Sequence, residues 1–511
     1  MTSTLRAPLV LFTSLLAACG PGEPSDSESG SEGEPTSTST TSTTGEPSTE
    51  APTTTTPGTT TVDETTTEAG TTGEPGEPVG CERLAGPADG PVDWYLRCGG
   101  LQDERITGIA TDAAGAIYVG IELRVLEGSS PLLIGEVTVT PGELSDILLI
   151  KLSSAGEPQW VRHFTGPGDQ SVYGLVACGG GVAIHGWAEG ESLDLGGGPI
   201  GGAFLASFDA EGQHRWSRAV PAVNDDGHVT FSAMACDGAG TLAVTGDLRH
   251  GADFGGGPVM APELYDGFVV TYDAAGELQW ARQFGSTGDA TARGRALAFA
   301  PAGEVVVVGA FQGKVDLGGG TLSTDFQDDM LVAKYSAAGE HVWSQQVGDW
   351  GLQYGTAIAA DSAGGITLGG IFLEEIEIGA DKYTNVFPEQ IPDAHGTLYD
   401  AVLAQLDPAG AVQASQHVGT MGDDDIIDLT FDAADALLMT AFTEEAFTMR
   451  ARVGQETTWE WTTDQFARAY STPSGDAAVL LGVSAGVDID LGAGPLVGRG
   501  ETDFLVVRLR R

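Results

Sequence analysis

From residue 92 onward, short apolar runs alternate with clusters of Gly, Asp and Pro, a pattern that predicts strands. No segment carries a convincing helical period. In the stretch beginning near Arg293, RALAFA turns at Pro301-Ala302-Gly303 into the β-branched run EVVVVGAF. A connection holding VDLGGG leads to DMLVAKY, and Ser336-Ala337-Ala338-Gly339 turns into HVWSQQVG. Four strands are predicted for this unit.

Tryptophan shows that the unit recurs. Trp94, Trp160, Trp216, Trp280 and Trp343 are 66, 56, 64 and 63 residues apart; Ala414 takes the next place, and Trp459 or Trp461 the one after. Gly156, Gly212, Gly276, Gly339 and Gly410 each stand four residues before this position. A four-strand unit of about 60 residues in tandem reads as a β-propeller blade. The chain ends in DFLVVRLRR, which matches a third strand, and the domain opens with VDWYLRCGG, which matches a fourth. Together they would complete one blade and leave no long sheet edge exposed. The expected fold is all-β: a seven-bladed propeller of four-stranded antiparallel blades, closed by N- and C-terminal strands and preceded by a disordered stalk.

With its D-x-F-hydrophobic strand, aaG turn, Trp and following Gly–Asp loop, the repeat over residues 92–511 resembles the bacterial seven-bladed SBBP propeller repeat. The resemblance implies an exported or surface protein and no common activity. The blade at about 424–463 departs most, being shorter and lacking DLGGG. The G…W turn is also similar to the tryptophan-docking repeat of quinoprotein dehydrogenases, which usually have eight blades.

The first 80 residues are of another kind. Arg6, an apolar run from Leu9 to Ala18, and Cys19 describe a secretory signal at 1–18, too short to span a bilayer. Leu16-Ala17-Ala18-Cys19 resembles the lipobox of bacterial lipoproteins, which implies membrane attachment through an acylated Cys19. Gly20 follows in place of the aspartate associated with inner-membrane retention, so the outer membrane or cell surface is expected. Residues 19–80 are rich in Thr, Ser, Pro, Gly and Glu and cannot bury enough surface to offset their ordering entropy. As a flexible coil this linker would span about 45 Å. The propeller domain is assigned to 81–511.

Composition narrows the function. The net charge of the 511 residues is −49, which excludes a polyanion-binding protein and with it nucleic acid as a partner, and the 75 glycines fit many tight turns. With Cys19 acylated, Cys81, Cys98, Cys178 and Cys236 allow three pairings. Cys81–Cys98 would pin the domain's entry; Cys178 and Cys236 recur at matching places and are either paired or buried free thiols.

Catalytic motifs are weak. Gly482-Val483-Ser484-Ala485-Gly486 matches the nucleophile elbow but aligns with GAFQG (309–313) and GWAEG (186–190), so the repeat explains its glycines. Gly196 to Gly201 fits G-x-G-x-x-G with no helix following, and the eight histidines lack metal-ligand spacing.

Aspartates stand out. Asp103, Asp169, Asp225, Asp289 and Asp423 lie nine residues after the tryptophan position, in loops entering the next blade. Asp146, Asp266, Asp329, Asp400 and Asp503 precede the third strand. Either these carboxylates accept loop amides, or they form an acidic face that binds Ca²⁺ or a cationic partner. Asp194, Asp253, Asp316 and Asp490 read as turns. The longest insertion, 376–400, breaks the repeat and is expected to take part in any specific site.

The leading expectation is a monomeric, non-enzymatic binding scaffold for a protein, glycan or matrix component. The alternative is a propeller enzyme of lactonase, lyase or glycosidase type using acidic loop residues, with Ca²⁺. An asymmetric cluster of acids at the channel would favour the enzyme.

Overall fold

The computed structural model describes residues 79–510 apart from 89, 100–102, 125, 127–129, 143, 262–264, 286–289, 325–326, 349–350, 387–397, 421, 444–445, 454–455, 464–466, 472–476, 485–487, 492–494 and 498–501. Among the described residues there is no α-helix; strands account for nearly all regular structure, with one 3₁₀ turn at Pro301–Gly303. Five sheets are four-stranded and antiparallel, and a nine-stranded sheet holds two further sets of four. These sets are numbered here as units one to seven, by the order of their first strands.

Unit four shows the pattern: Thr291–Ala300, Glu304–Gln312, Asp329–Tyr335 and His341–Val347 pair in sequence order. Its third strand, DMLVAKY, is buried at every residue, and so is most of the second. Strands covered on both faces are selected for continuous Val, Ile and Leu. The fourth strand, HVWSQQV, is only partly buried. Each fully buried Val or Leu contributes about 1.5–3 kcal/mol, so the middle strands hold each unit together.

First strands of successive units lie against one another: Asp103–Thr111, Gln170–Cys178, His228–Cys236, Thr291–Ala300, Gln353–Ala360, Asp425–Phe431 and Ala467–Ser471, the last of which contacts Asp103–Thr111. Six of the seven carry a bulge, at Thr107, Tyr173, Ser232, Arg295, Thr356 and Ile427. A bulge re-aims the extra side chain and brings the backbone closer to the partner strand. Glycine answers on that partner: a Cβ at Gly309 would lie 1.9 Å from the Arg293 carbonyl oxygen, and one at Gly246 1.8 Å from that of Thr230.

Unit seven draws on both ends of the chain. Val92–Cys98 pairs antiparallel with Thr502–Leu509, Trp94 facing Arg508 and Cys98 facing Phe504. Ala477–Ser484 pairs with the other edge of Thr502–Leu509. Short strand pairs within the connections, such as Lys314–Asp316 with Thr321–Ser323, have no counterpart in the sequence reading, and neither do two short strands at the start of the domain. Glu82–Ala85 adds outside Val92–Cys98, and Val79–Gly80 runs parallel to Leu132–Leu133. ERLA is too short and polar to signal a strand; the unpaired edge of Val92–Cys98 makes it one.

Disulfides join Cys81 to Cys98 and Cys178 to Cys236, at sequence separations of 17 and 58. The second links the ends of the first strands of units two and three. In the chain-entropy picture, closing a loop of that length stabilises by about 4 kcal/mol.

Candidate functional site

The repeated tryptophans are occupied between units. Trp94, Trp160, Trp216, Trp280 and Trp343 each cover the turn glycine of the following unit: Gly156, Gly212, Gly276, Gly339 and Gly410. Those glycines have φ of +71° to +89°, and a Cβ on any of them would lie 2.5–3.1 Å from the indole. Four of the indoles donate Nε1–H to a carbonyl of the covered turn, at 2.9–3.3 Å. Arg162, Arg218, Arg282 and Gln345, two residues on, donate to the glycine carbonyls at 2.7–3.0 Å. These rings are mortar between units.

Most aspartates are occupied as well. Asp112, Asp209, Asp237, Asp273, Asp361, Asp407 and Asp432 each accept the backbone amides two and four residues ahead, and Asp194, Asp253 and Asp316 do the same in the DLGGG turns. The amides of Gly196 and Gly198 hold the Asp194 carboxyl below the usual carboxylate range.

The loop register has mixed surroundings. Asp103 is buried beside Arg105 at 3.1 Å and Arg124 at 4.0 Å; Asp169 accepts the Ser145 hydroxyl at 2.9 Å; Asp423 accepts the Tyr399 amide at 3.0 Å. Asp225 is exposed, and Asp289 lies outside the described residues.

The register before the third strand is buried and paired across to the fourth. Asp146 meets His163 at 2.9 Å, Asp400 meets His417 at 2.7 Å, and Asp503 meets Arg97 at 3.4 Å; Asp266 and Asp329 accept from Gln283 and Gln346. This is no surface acidic ring, because these carboxylates are at most 3% exposed. The sequence did carry a signal: a His or Gln stands seventeen residues after four of these aspartates. Among the described residues no three His, Cys, Asp or Glu side chains gather so as to hold a metal ion. Adding Ca²⁺, then chelator, is expected to leave the thermal midpoint unchanged. A saturable rise, roughly 2.7 kcal/mol at 100 times Kd, would overturn that expectation.

Other sequence motifs are absorbed by the repeat. Ser484 closes the strand Ala477–Ser484 opposite Thr502, in backbone unlike a strand–turn–helix elbow. His214 and His341 sit against the glycine turns at Gly196–Gly197 and Gly318–Gly319, each bonded through Nε2 to Ser217 or Ser344 at 3.0 Å. In the 376–400 insertion Glu375–Ile378 pairs with Asp381–Thr384, and 387–397 lies outside the described residues.

The repeat breaks down where the first strands of units three to six begin. Arg295 is the bulged residue of unit four and Arg293 stands two before it. The Arg293 guanidinium lies 5.0 Å from the ring centre of Tyr265, and that of Arg295 lies 5.0 Å from Tyr354. Tyr354 donates its hydroxyl to Asp328 at 2.8 Å, and Tyr265 meets His228 edge-on at 6.4 Å. Among the described residues neither guanidinium makes a hydrogen bond or ion pair, and Arg295 Nε is buried without a partner. Burial lowers the Arg295 guanidinium's pKa, and neighbouring Arg293 adds to that. Asp247 is 9% exposed; burial raises its carboxyl against the pull of Arg293, His228 and Arg295.

Asp425 is pushed up to about 6 by burial, opposed by the Thr356 hydroxyl, the Ile426 amide and Arg295, and its Oδ1 has no partner. A carboxyl raised in the folded state stabilises below the unfolded value of 3.8, and that contribution is lost as pH rises through about 6. Asp425→Asn is therefore expected to be more stable than the parent at pH 7 by about 2–3 kcal/mol and equal to it at low pH. Urea unfolding at both pH values tests this; an equal difference at both would refute it.

Beside this cluster, unit two lacks the buried pair, having Gly202 and Ala219 in place of the aspartate and its donor. A cavity of about 140 Å³ opens there, lined by Trp187, Gly202, Ala203, Val220, Pro221 and His228. Trp187, which is not one of the packing tryptophans, is 39% exposed. His228 joins this cavity to Tyr265 and hence to Arg293. None of these residues was singled out from sequence.

No family model matches the chain, and no curated protein matches it. Solved structures with remote likeness include Sqt1 from Chaetomium thermophilum, at 11% identity and TM-score 0.35 over 84% of this chain and all of that one. A glucose dehydrogenase is 13% identical at TM-score 0.31, over 64% of this chain and 93% of that one. A Bacteroides caccae protein of unknown function is 10% identical at TM-score 0.26, over 42% of this chain and 61% of that one; the chain thus spans under two thirds of its length. Likenesses this remote do not bear on function.

Proposed function

We propose that residues 81–511 form a closed seven-bladed β-propeller, joined by the 19–80 linker to a lipidated Cys19 at the outer membrane or cell surface, and that it serves as a binding scaffold. The ring is supported by the succession of first strands, which returns from Ala467–Ser471 to Asp103–Thr111, and by the pairing of Val92–Cys98 with Thr502–Leu509. Each unit is then a blade, and the bulged residues line a central channel.

The observation that carries the binding reading is the asymmetric patch from Trp187 to Arg295. On a scaffold whose repeated tryptophans and most of whose repeated aspartates are consumed by packing, it leaves an exposed indole and two half-buried guanidiniums that make no hydrogen bond among the described residues. Guanidiniums held on aromatic faces are preset to meet the oxygens of a ligand. The partner chemistry is that of a glycan or matrix component rather than a nucleic acid.

A propeller enzyme is the second reading, with Asp425, whose carboxyl is raised by burial and opposed by Arg295, as its candidate acid. A ligand recovered intact after incubation with the protein supports the scaffold; a cleaved one supports the enzyme.

Anchoring has its own test. Cys19→Ser should move the protein from the membrane fraction to the soluble fraction of an expressing bacterium. Retention of the variant in the membrane fraction would exclude the lipid anchor.

A further inference from the structure

One wall of the cavity beside Trp187 is the connection from unit two to unit three, which contributes Pro221, Ala222 and Gly227. Within it the Asn224 carbonyl accepts the Gly227 amide at 3.0 Å, closing a turn with Asp225 and Asp226 at its tip. A Cβ on Gly227 would lie 2.6 Å from that of Ala222, so the legs of the turn meet where they line the cavity, and the tip stands at its rim. Asp225 and Asp226 are exposed, and among the described residues neither makes a hydrogen bond or ion pair. Asp103, Asp169 and Asp423, which share the register of Asp225, all have partners. Glu189, two residues beyond Trp187 on its strand, adds a further exposed carboxylate, while Arg249, opposite His228, is itself partnered.

The lining is apolar apart from His228, and about 140 Å³ is room for one side chain; an engineered apolar cavity of ~150 Å³ takes up benzene. An indole attracts a cation through its ring quadrupole, and carboxylates at the mouth act in the same direction. The net charge of −49 draws cations toward the chain and repels anions. An apolar stem that ends in a compact, hydrated positive charge is the chemistry of lysine. The chain's own 19–80 linker has no Lys or Arg and cannot be the occupant.

We propose that the cavity beside Trp187 seats a lysine side chain of a basic polypeptide, its stem packed against the indole and its ammonium at the mouth, in the field of Asp225 and Asp226. This narrows the partner of the scaffold proposed above to a polypeptide matrix component and rests on that reading.

The experiment is titration calorimetry of the full chain at about 0.15 M salt, where attraction to distant surface charges is screened. Three blocked peptides serve as probes: GKGKG, the same with 2,4-diaminobutyrate for lysine, and the same with acetyl-lysine. The second keeps the charges and shortens the stem by two carbons; the third keeps the stem and loses the charge. The lysine peptide should bind saturably, and each control about tenfold more weakly or worse. Trp187→Ala, and Asp225→Asn combined with Asp226→Asn, should each weaken the lysine peptide by a similar factor at an unchanged thermal midpoint. All three side chains are exposed, so neither variant removes a packing contact on which folding depends.

Equal affinity for the lysine and diaminobutyrate peptides would mean general attraction to an acidic surface, and equal affinity for the acetyl-lysine peptide a neutral occupant. Either result overturns the proposal, as does the absence of saturable binding. A dimer in sedimentation that Trp187→Ala dissolves would seat a second copy of the chain there and overturn it too. Cellotetraose binding the parent but not Trp187→Ala, with no binding of the lysine peptide, would overturn the lysine assignment and leave the scaffold reading standing. The ring reading fails separately, if deletion of residues 502–511 leaves folding intact.

Discussion

Deleting residues 502–511 should leave a chain that no longer unfolds cooperatively. The deleted strand carries Phe504, Leu505, Val506, Val507 and Leu509, each at most 1% exposed. At about 1.5–3 kcal/mol each, their burial amounts to roughly 7–15 kcal/mol, as large as the whole stability of a typical domain. The deletion also strips hydrogen-bond partners from Val92–Cys98 and Ala477–Ser484, exposing two apolar edges at once. Thermal melting by circular dichroism and limited proteolysis would read the loss. A cooperative melt at the parental midpoint would mean that unit seven is dispensable and that no closed ring exists.

Trp280→Ala should cost about 3–5 kcal/mol, the range for truncating a large buried aromatic. Trp280 is 8% exposed, covers Gly339 and donates Nε1–H to the Ala337 carbonyl at 3.0 Å, all in the next unit. Its loss also removes the ring beside Arg282, whose guanidinium lies 6.0 Å from the indole centre and caps Gly339. Trp343→Ala, at a more exposed position with the same role, should cost less. The urea midpoint should fall at unchanged slope, as expected when folded-state contacts are lost and the unfolded chain is unaltered. A loss under about 1 kcal/mol for Trp280 would show that the indoles decorate the units without joining them.

Much of this was readable beforehand because the repeat writes it several times. The S/D-x-x-G turn ahead of each tryptophan needs a left-handed glycine, and the indole needs the space that glycine leaves, so the two residues recur together. DMLVAKY and its counterparts are apolar throughout because both faces are covered. Val92–Cys98 and Thr502–Leu509 could be matched as fourth and third strands of one unit, since each keeps the residue types of its place in the pattern.

The patch was hidden for the opposite reason. Trp187, His228, Arg295 and Tyr354 occur once each, at places where other units carry different residues, Arg293 shares its place with Arg105 alone, and nothing local marks them. Arg295 faces its neighbours because it is the extra residue of a bulge, which the sequence shows only as an Arg in an otherwise unremarkable strand. The aspartates show the same limit. Their spacing left a choice between acceptors of loop amides and one acidic face, and only the fold shows backbone amides, a hydroxyl, arginines and buried His or Gln partners taking up most of them in different ways.

By itself, then, the sequence determined the four main strands of the repeating unit, their order, the turn before each tryptophan and the two ends that belong together. These depend on residues within one repeat and on side-chain alternation, which are local physics. Only the tertiary structure decided which polar groups are spent and which are left over. That balance depends on atoms brought together from units some 60 residues apart in sequence, and no local pattern contains it.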